Sequence, residues 1–393
     1  MIKLNKTLYS VLCLIFGMST LSGCIEEFKA DIPTDDSNLL VVEGNIVSSR
    51  ENTFILTRTM PINSFNTPIE TGAIVSVRGT DGSEYNAQFS DGQYTCMVGD
   101  LDPDEEYYLH IEVDGEIYES DPQKPMSSEK IADVCGVQNT PESNIDILIT
   151  PEAPADSNKE NFYSWTYDET WEVRPDYITN LFFDVEKMSI IQKEGLFPER
   201  GWIDGTSTTI MVGAGSSYEG QHIQRLKLYD IDRSNERIFF RYSGLIHQRA
   251  ISKAEYEYEL ARRQASSEMG GLFTPQPSSL PTNIHCRTSK KNVIGFVGCS
   301  LNIGEYRFFL NSTDYSIYPQ KVGPLTWIED CSMEDCRRMT ERNMYICEYE
   351  DAMISGTGKP RSAWAYARQV DVRLRGAYTE MPSFWLLTEN VSY

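Results

Sequence analysis

The residues with the most specific chemistry are the four that end at Cys24. Leu21-Ser22-Gly23-Cys24 has the pattern of a bacterial lipobox, in which the cysteine thiol is diacylated, the chain is cleaved before it and the new amine is acylated. A basic start and a short apolar run from Leu8 to Met18 precede it, as in a secretory signal. The alternative is an ordinary signal peptide that happens to end near a cysteine. We expect a signal peptide over residues 1–23 and lipidation at Cys24.

A lipid anchor at this position is physically sufficient, because stable membrane attachment needs two or more acyl chains and no membrane-spanning helix. The apolar run of the signal is shorter than the ~20 residues that span a bilayer. Residues 24–37 are acidic and poor in apolar side chains, so we expect an extended tether. Ile25-Glu26-Glu27 resembles the signal that directs Bacteroidota lipoproteins to the outer face of the outer membrane. The expected location is therefore the outer membrane at the cell surface.

Composition excludes one class of partner and suggests two domains. The 393 residues include 58 Asp and Glu against 35 Lys and Arg, which gives a formal net charge of −23. So acidic a chain repels nucleic acid, and no nucleic-acid role is expected. The length exceeds what one hydrophobic core usually supports.

Seven cysteines remain once Cys13 in the signal and Cys24 are set aside. In an oxidising envelope, nearby cysteines are more often disulfides than metal ligands. Cys331 and Cys336 are the best-placed pair, with four residues between them. A zinc site is the weaker alternative, because structural zinc sites need a second matching pair of ligands. We predict no metal, and an odd number of cysteines leaves at least one thiol free.

Catalytic chemistry is hard to find in this chain. None of its four histidines lies in a zinc-protease helix motif, and neither a nucleophile elbow nor a phosphate-binding loop is present. Carboxylates are so abundant that a pair for glycoside hydrolysis stays open as an alternative. We therefore predict no enzymatic activity and no cofactor.

The segment from Phe162 to Val173 is the most pointed candidate for ligand contact. With a period of two residues, Tyr163, Trp165 and Trp171 share one face of a strand. Such a row of aromatic rings stacks on sugar rings or on peptide side chains. The competing interpretation is a core strand, because aromatic side chains bury a large area and favour strands.

The elements that must position these residues are mostly strands. Short strands separated by Asp81-Gly82, Asp91-Gly92 and Asp114-Gly115 predict hairpins over the first folded unit. Seven strands with turns about every ten residues predict an immunoglobulin- or transthyretin-like β-sandwich over residues 38–128. The expected strands are Leu39–Val47, Phe54–Arg58, Ala73–Arg78, Glu84–Phe89, Gln93–Val98, Tyr107–Val113 and Glu116–Ser120.

Residues 129–144 are predicted to form a linker. Residues 145–393 are predicted to form a larger antiparallel β domain that carries one helix near residues 253–266. Ser252 and Glu255 have capping-box spacing, and Ile251 and Tyr256 are placed for a hydrophobic staple. Further strands are expected over residues 293–297, 306–310 and 370–374. The predicted fold class is thus mainly β.

The order of segments resembles a family of Bacteroidota outer-membrane lipoproteins grouped as domain of unknown function 4249. The segments that carry the resemblance are Leu39–Ile46, Gly72–Val77, Tyr163–Trp165, Glu169–Trp171, Arg241–Ser243, Gln248, Gly271–Pro277, Thr282–Ile284, Gly295–Phe296, Asp335–Cys336 and Pro382–Trp385. Together they extend over almost all of the chain after the signal. The family has no assigned catalytic or binding residues, so none is transferred.

The resemblance implies an accessory role beside a TonB-dependent outer-membrane receptor in nutrient capture or import. The aromatic row of the segment from Phe162 to Val173 makes a peptide or a glycan the expected ligand. The resemblance also implies an exposed, partly apolar patch on the second domain for docking to the receptor. Two alternatives from other classes stay open. An adhesin or fimbrial subunit would polymerise by strand addition, and a surface hydrolase would show paired carboxylates in a cleft.

Overall fold

A computed structural model describes residues 38–60, 68–267, 280–319, 323–386 and 390–392. Cys24, the tether and the expected end of the helix at Gly270-Gly271 lie outside the described residues. The chain is mainly β, which confirms the predicted fold class.

Twenty-six strands and three α-helices make up the described chain. In chain order the strands are β1 (Leu40–Glu43), β2 (Ile46–Val47), β3 (Glu51–Arg58), β4 (Ile74–Gly79), β5 (Glu84–Asn86), β6 (Gln88–Ser90), β7 (Gln93–Met97), β8 (Tyr107–Val113), β9 (Glu116–Ser120), β10 (Ile131–Val137), β11 (Ile145–Pro151), β12 (Phe162–Val173), β13 (Leu181–Asp184), β14 (Ser189–Gln192), β15 (Gly201–Thr206), β16 (Met211–Ala214), β17 (Leu226–Ile231), β18 (Arg241–Ala250), β19 (Ile284–Cys286), β20 (Val293–Gly295), β21 (Cys299–Ser300), β22 (Gly304–Asn311), β23 (Thr326–Glu329), β24 (Met344–Glu350), β25 (Arg361–Tyr366) and β26 (Val391–Ser392). The helices are α1 (Lys253–Ser267), α2 (Met333–Glu341) and α3 (Ala367–Val370).

The first unit is a sandwich of two five-stranded sheets. Their strand orders are β20-β1-β3-β7-β6 and β19-β9-β8-β4-β5. Alternate side chains of both sheets, such as Leu56 and Ile111, meet in one core. Asp91-Gly92 and Asp114-Gly115 have positive φ at both residues, as tight hairpin turns require. The predicted strands are confirmed, but two of them are divided between different sheets: Leu39–Val47 into β1 and β2, and Glu84–Phe89 into β5 and β6.

A segment far along the chain completes both sheets of the sandwich. β19 pairs antiparallel with β9, and β20 pairs parallel with β1. Gly295 ends β20 with φ of 143°, and a Cβ there would lie 2.3 Å from the carbonyl oxygen of Val42. Only glycine fits this approach. Asn283 and Val297 exchange two hydrogen bonds of 2.9 Å, which fold the segment back on itself.

The second unit is built on a large antiparallel sheet. Its order is β15-β12-β18-β22-β26, with β16 pairing with the first part of β12. A three-stranded sheet of β10, β11 and β17 shares its core. Residues 131–137, inside the segment expected to be a linker, form β10.

A smaller lobe near the carboxyl end was not foreseen from the sequence. The hairpin of β13 and β14, the sheet of β23, β25 and β24, and α2 pack around Trp364 and Cys336. The predicted strand at residues 370–374 is wrong. α3 and a 3-10 turn over Val372–Arg375 occupy this region. Val370 and Val372 are both buried, and this alternation of apolar residues is the same as the pattern of a strand. The Asp371 side chain accepts the Arg373 N–H and stabilises the turn instead.

The predicted helix is confirmed as α1. The Ser252 hydroxyl accepts the Glu255 N–H at 3.1 Å, and Tyr256 packs on Phe162 beside Ile251. The Glu255 carboxylate turns instead to Arg249, with which it forms a buried ion pair. Among the described residues, no helix has both the length and the apolar character that a membrane span needs.

Candidate functional site

A partly enclosed cavity of about 390 Å³ lies at the end of β12 in the second unit. Four separate parts of the chain line it: the end of β12 with the residues after it, the turn before β18, Pro319 and the turn after α3. Its lining residues are Val173, Arg174, Pro175, Asp176, Ser234, Glu236, Phe239, Phe240, Pro319 and Arg375. The volume is within the range of small-molecule sites, roughly 300–1,000 Å³.

Local sequence explains why the chain turns at three of these parts. Pro175 cannot donate to a strand ladder, and β12 ends two residues before it. The Asn235 side chain accepts the Arg237 N–H at 3.1 Å and caps the 3-10 turn that carries Glu236. After α3, Gly376 has φ of 91° and ends the turn that carries Arg375.

The charged groups of the cavity are two guanidinium groups and two carboxylates. The Arg174 guanidinium lies 4.5 Å from the centre of the Phe240 ring, and its Nε donates to Glu172 at 2.7 Å. The Arg375 side chain is 11% exposed. Its Nη1 lies 3.4 Å from Glu236, and its other terminal nitrogen donates to the carbonyl of Arg174. The Nε–H of Arg375 finds no acceptor among the described residues.

A buried polar network lies behind the cavity and fixes the turn that carries Glu236. Arg237 donates to both oxygens of Glu169, at 3.0 and 2.9 Å. Tyr242 donates to the same carboxylate at 2.9 Å and lies 2.8 Å from the Tyr229 hydroxyl. Burial lowers the pKa of Arg237, but the negative charge of Glu169 outweighs it, so the net pKa is raised. Arg237 therefore stays charged and holds the turn to β12.

The aromatic residues expected to contact ligand are mostly in the core. Tyr163 and Trp165 are each 1% exposed. Tyr163 donates to Glu129 at 2.6 Å, and the Trp165 indole N–H donates to Gln248 at 2.9 Å. Both polar ends are therefore used inside the protein, which favours the core-packing interpretation. Trp171 is half-buried and packs between the core of the large sheet and the small apolar cluster around Val173.

The cysteine pair expected to form a disulfide is brought together in the carboxyl-terminal lobe. The Sγ atoms of Cys331 and Cys336 are 3.5 Å apart, and both residues are free thiols in this structure. Burial, together with the neighbouring Cys331, raises the pKa of Cys336 to about 12. Ser362 donates to Cys331 at 3.0 Å and accepts from the Trp364 indole at 2.8 Å. The disulfide itself stays a prediction.

In the described ranges, no group of three or more His, Cys, Asp or Glu side chains is placed to hold a metal ion. The cavity instead offers charged donors and acceptors on an apolar floor, which suits recognition of a small molecule. Sequence reasoning missed its residues, because Arg174, Glu236 and Arg375 belong to segments far apart in the chain. No local spacing links them.

Comparison with known proteins assigns the chain to a family. The sequence model described as domain of unknown function DUF4249 matches residues 25–302. The chain belongs to the DUF4249 family. A search of curated proteins gives no match. The part that matches DUF4249 includes the whole sandwich with β19 and β20, and two walls of the cavity. Pro319 and Arg375 come after it.

Proposed function

We propose that this DUF4249 protein is a surface-exposed outer-membrane lipoprotein that acts as an accessory, ligand-binding partner of a TonB-dependent nutrient transporter. The lipobox that ends at Cys24 supports the anchor. The observation that carries the binding role is the cavity beside β12, which is lined by charged groups from three chain segments together with Phe239 and Phe240.

Exposed apolar side chains support docking to a larger partner. Twelve of the sixteen large apolar side chains exposed among the described residues belong to residues 178–188 and 318–386. Met353 and Ile354, in the loop between β24 and β25, are 93% and 70% exposed. Exposed apolar side chains of this kind are common at protein interfaces. They are Ile178, Val185, Met188, Tyr318, Trp327, Met353, Ile354, Tyr366, Leu374, Tyr378, Met381 and Leu386.

The sandwich edges speak against an adhesin that polymerises by strand addition. All four edge strands, β5, β6, β19 and β20, are three residues long. Short edges offer an incoming strand few backbone groups to pair with. Polymerisation through the sandwich is therefore disfavoured.

The test is affinity purification of the tagged protein from gently solubilised outer membranes, followed by mass spectrometry. A stoichiometric TonB-dependent receptor is the expected result. A detergent-resistant ladder of the protein alone would point to an adhesin, and a lone monomer would contradict the accessory role.

The anchor is tested separately with Cys24→Ala. We expect an unprocessed precursor that lacks acyl chains, because the acylated thiol is missing. Cys13→Ala, a matched change inside the expected signal, should leave processing and membrane attachment unchanged. A Cys24→Ala protein that is normally cleaved and membrane-bound would contradict the lipobox interpretation.

A further inference from the structure

We infer that the cavity beside β12 binds a zwitterion with an apolar body, namely a free amino acid or a short peptide with an apolar side chain. This inference rests on the proposed ligand-binding function and names its ligand class. Three features of the cavity carry it: an underused guanidinium, a facing carboxylate and an aromatic floor.

Arg375 provides the site for a carboxylate. Its side chain is almost buried, its Nε–H has no acceptor among the described residues, and its contact with Glu236 is long at 3.4 Å. Typical N–H···O hydrogen bonds are about 2.9 Å. A buried donor without a good acceptor costs free energy. A ligand carboxylate accepts two N–H bonds from one guanidinium and would replace the long contact with a fork.

Glu236 provides the site for an ammonium group. Its side chain is 40% exposed, lines the cavity and is carried by the capped turn. A ligand ammonium has three donors and no acceptor, so it requires carboxylate or carbonyl oxygens. When a ligand carboxylate binds the Arg375 guanidinium, the contact between Arg375 and Glu236 weakens. The ligand ammonium then becomes the new positive partner of Glu236. The two exchanges are coupled, because only both together leave the net charge of the site unchanged.

The cavity floor selects an apolar body between the two charges. Phe239, Phe240, Pro175 and Pro319 provide apolar surface, and the Arg174 guanidinium already covers a face of the Phe240 ring. A sugar ring that stacks on this face of Phe240 would have to displace the cation. A simple anion would face the carboxylates of Asp176 and Glu236, and a simple cation would face two guanidinium groups. A zwitterion satisfies both signs.

The first experiment measures binding by titration calorimetry on the full mature protein. The probes are phenylalanine and the dipeptide phenylalanyl-leucine, each compared with its N-acetylated and its C-amidated form. We expect the unmodified probes to bind and each capped form to bind at least about tenfold more weakly, because each cap removes one charge-assisted contact. Equal binding of capped and unmodified probes, or binding of maltotriose alone, would overturn the inference.

Variants place the binding in this cavity. Glu236→Gln keeps the shape of the side chain and should weaken unmodified probes about tenfold or more, while the N-acetylated form changes little. Arg375→Ala removes the partner of the ligand carboxylate, so it should also weaken binding of the unmodified probes about tenfold or more, while binding of the C-amidated form changes little. Arg373→Ala is the matched control, because Arg373 lies on the same turn but pairs with Asp371 at 2.8 Å. Thermal unfolding checks that each variant is folded.

The outcome is separable from that of the proposed function. If the receptor co-purifies but no probe binds to the folded protein, the accessory role stands and the zwitterion inference is wrong. If probes bind and charge removal acts as expected but no receptor co-purifies, the ligand class stands and the accessory role is wrong.

Discussion

At the scale of single residues, Glu169 shows how a polar group inside an aromatic strand is tolerated. It shares a face of β12 with tyrosine and tryptophan side chains, and a buried carboxylate without a partner is costly. Arg237 contacts both of its oxygens and Tyr242 contacts one of them. The carboxylate is thus satisfied within the core, and the same contacts hold the turn beside the cavity.

Removal of Arg237 is predicted to destabilise the protein more than an ordinary surface change. Arg237→Met leaves Glu169 buried without a cation, and we expect a loss of about 3 kcal/mol in the free energy of unfolding. The double variant Arg237→Met/Glu169→Gln should regain much of this, because Gln is neutral and still accepts from Tyr242. Urea unfolding measures both. Arg263→Met, an exposed arginine on α1, is the control, and an equal loss there would contradict the argument.

The adjacent thiols make a second prediction at the residue scale. On exposure to an oxidant, Cys331 and Cys336 should form a disulfide, because their sulfur atoms are already 3.5 Å apart. The raised pKa of Cys336 keeps its thiolate scarce at neutral pH, so the reaction should accelerate as the pH rises. The closed loop should add about 2 kcal/mol of stability.

Peptide mapping by mass spectrometry detects the disulfide between Cys331 and Cys336 directly. Cleavage after Glu334 separates the two cysteines, so their peptides stay together only through a disulfide. Cys347 in the same lobe serves as the control and should remain open to alkylation once the protein is unfolded. Linkage of Cys336 to any cysteine other than Cys331 would show that the lobe is packed differently.

The local sequence predicted lipidation at Cys24, but it could not predict the cavity. The alternation of Tyr163, Trp165 and Trp171 correctly indicated a strand, because a period of two is local. Which face of that strand meets solvent depends on β11, β17 and β18, and no local pattern records it. For the same reason Arg375 and Glu236, 139 positions apart, gave no signal as a pair.

At the scale of elements, α2 was not predicted, although its capping residues are a local signal in the sequence. Ser332 accepts the Asp335 N–H at 3.2 Å, and the Asp335 carboxylate accepts the Ser332 N–H at 2.9 Å. This reciprocal pair is a capping box. Ser332 and Asp335 have the same three-residue spacing as Ser252 and Glu255, so the start of α2 is encoded locally in the same way as the start of α1.

The capping box predicts a pH dependence of stability. Hydrogen bonds from Ser332, with Arg338 nearby, lower the pKa of Asp335 from 3.8 to about 2. A carboxyl group whose pKa is lower in the folded state adds stability above its unfolded pKa and loses it as the pH falls. The contribution of Asp335 should therefore be complete above pH ~4 and vanish toward pH ~2.

Asp335→Asn tests this dependence. We expect it to be less stable than the parent by about 1 kcal/mol at pH 5.5, with the difference shrinking by pH 2.5. Urea unfolding at the two pH values, followed by tryptophan fluorescence, measures the difference. Glu334→Gln is the comparison, because the Glu334 carboxylate lies in the same turn outside the capping box and pairs with Arg337, which lowers its pKa. The loss for Asp335→Asn at pH 5.5 should exceed the loss for Glu334→Gln. A difference for Asp335→Asn that is constant with pH would contradict the role of its charge.

At the scale of the whole molecule, the sandwich is closed by residues that are distant in sequence. Hairpins between neighbouring strands followed from Asp-Gly turns, but the parallel pairing of β1 with β20 brings together residues about 250 positions apart. Such pairing leaves no periodic trace near either strand. The predicted boundary at residue 128 therefore marks the end of the first run of hairpins. A folding experiment must decide whether residues 38–128 fold independently.

We predict that residues 38–128 alone do not form a stable domain. Ile284, Val293 and Val297 are buried in the sandwich core, and each contributes about 2 kcal/mol by burial. Their combined loss of about 6 kcal/mol is comparable with the stability of an average domain. Circular dichroism and the dispersion of amide signals in nuclear magnetic resonance should show an unfolded chain.

Restoring the missing segment should restore the fold. Ser128 donates its N–H to the Asn302 side chain at 2.9 Å, so the two ends to be joined lie near the same edge. Residues 282–302, attached after residue 128 through a flexible Gly/Ser linker, should therefore return a cooperative unfolding transition. The same chain with Gly295→Val is the matched control and should stay unfolded, because a side chain there meets the Val42 carbonyl. A cooperative transition in residues 38–128 without the segment would show that the first nine strands suffice and that β19 and β20 only cover their edges.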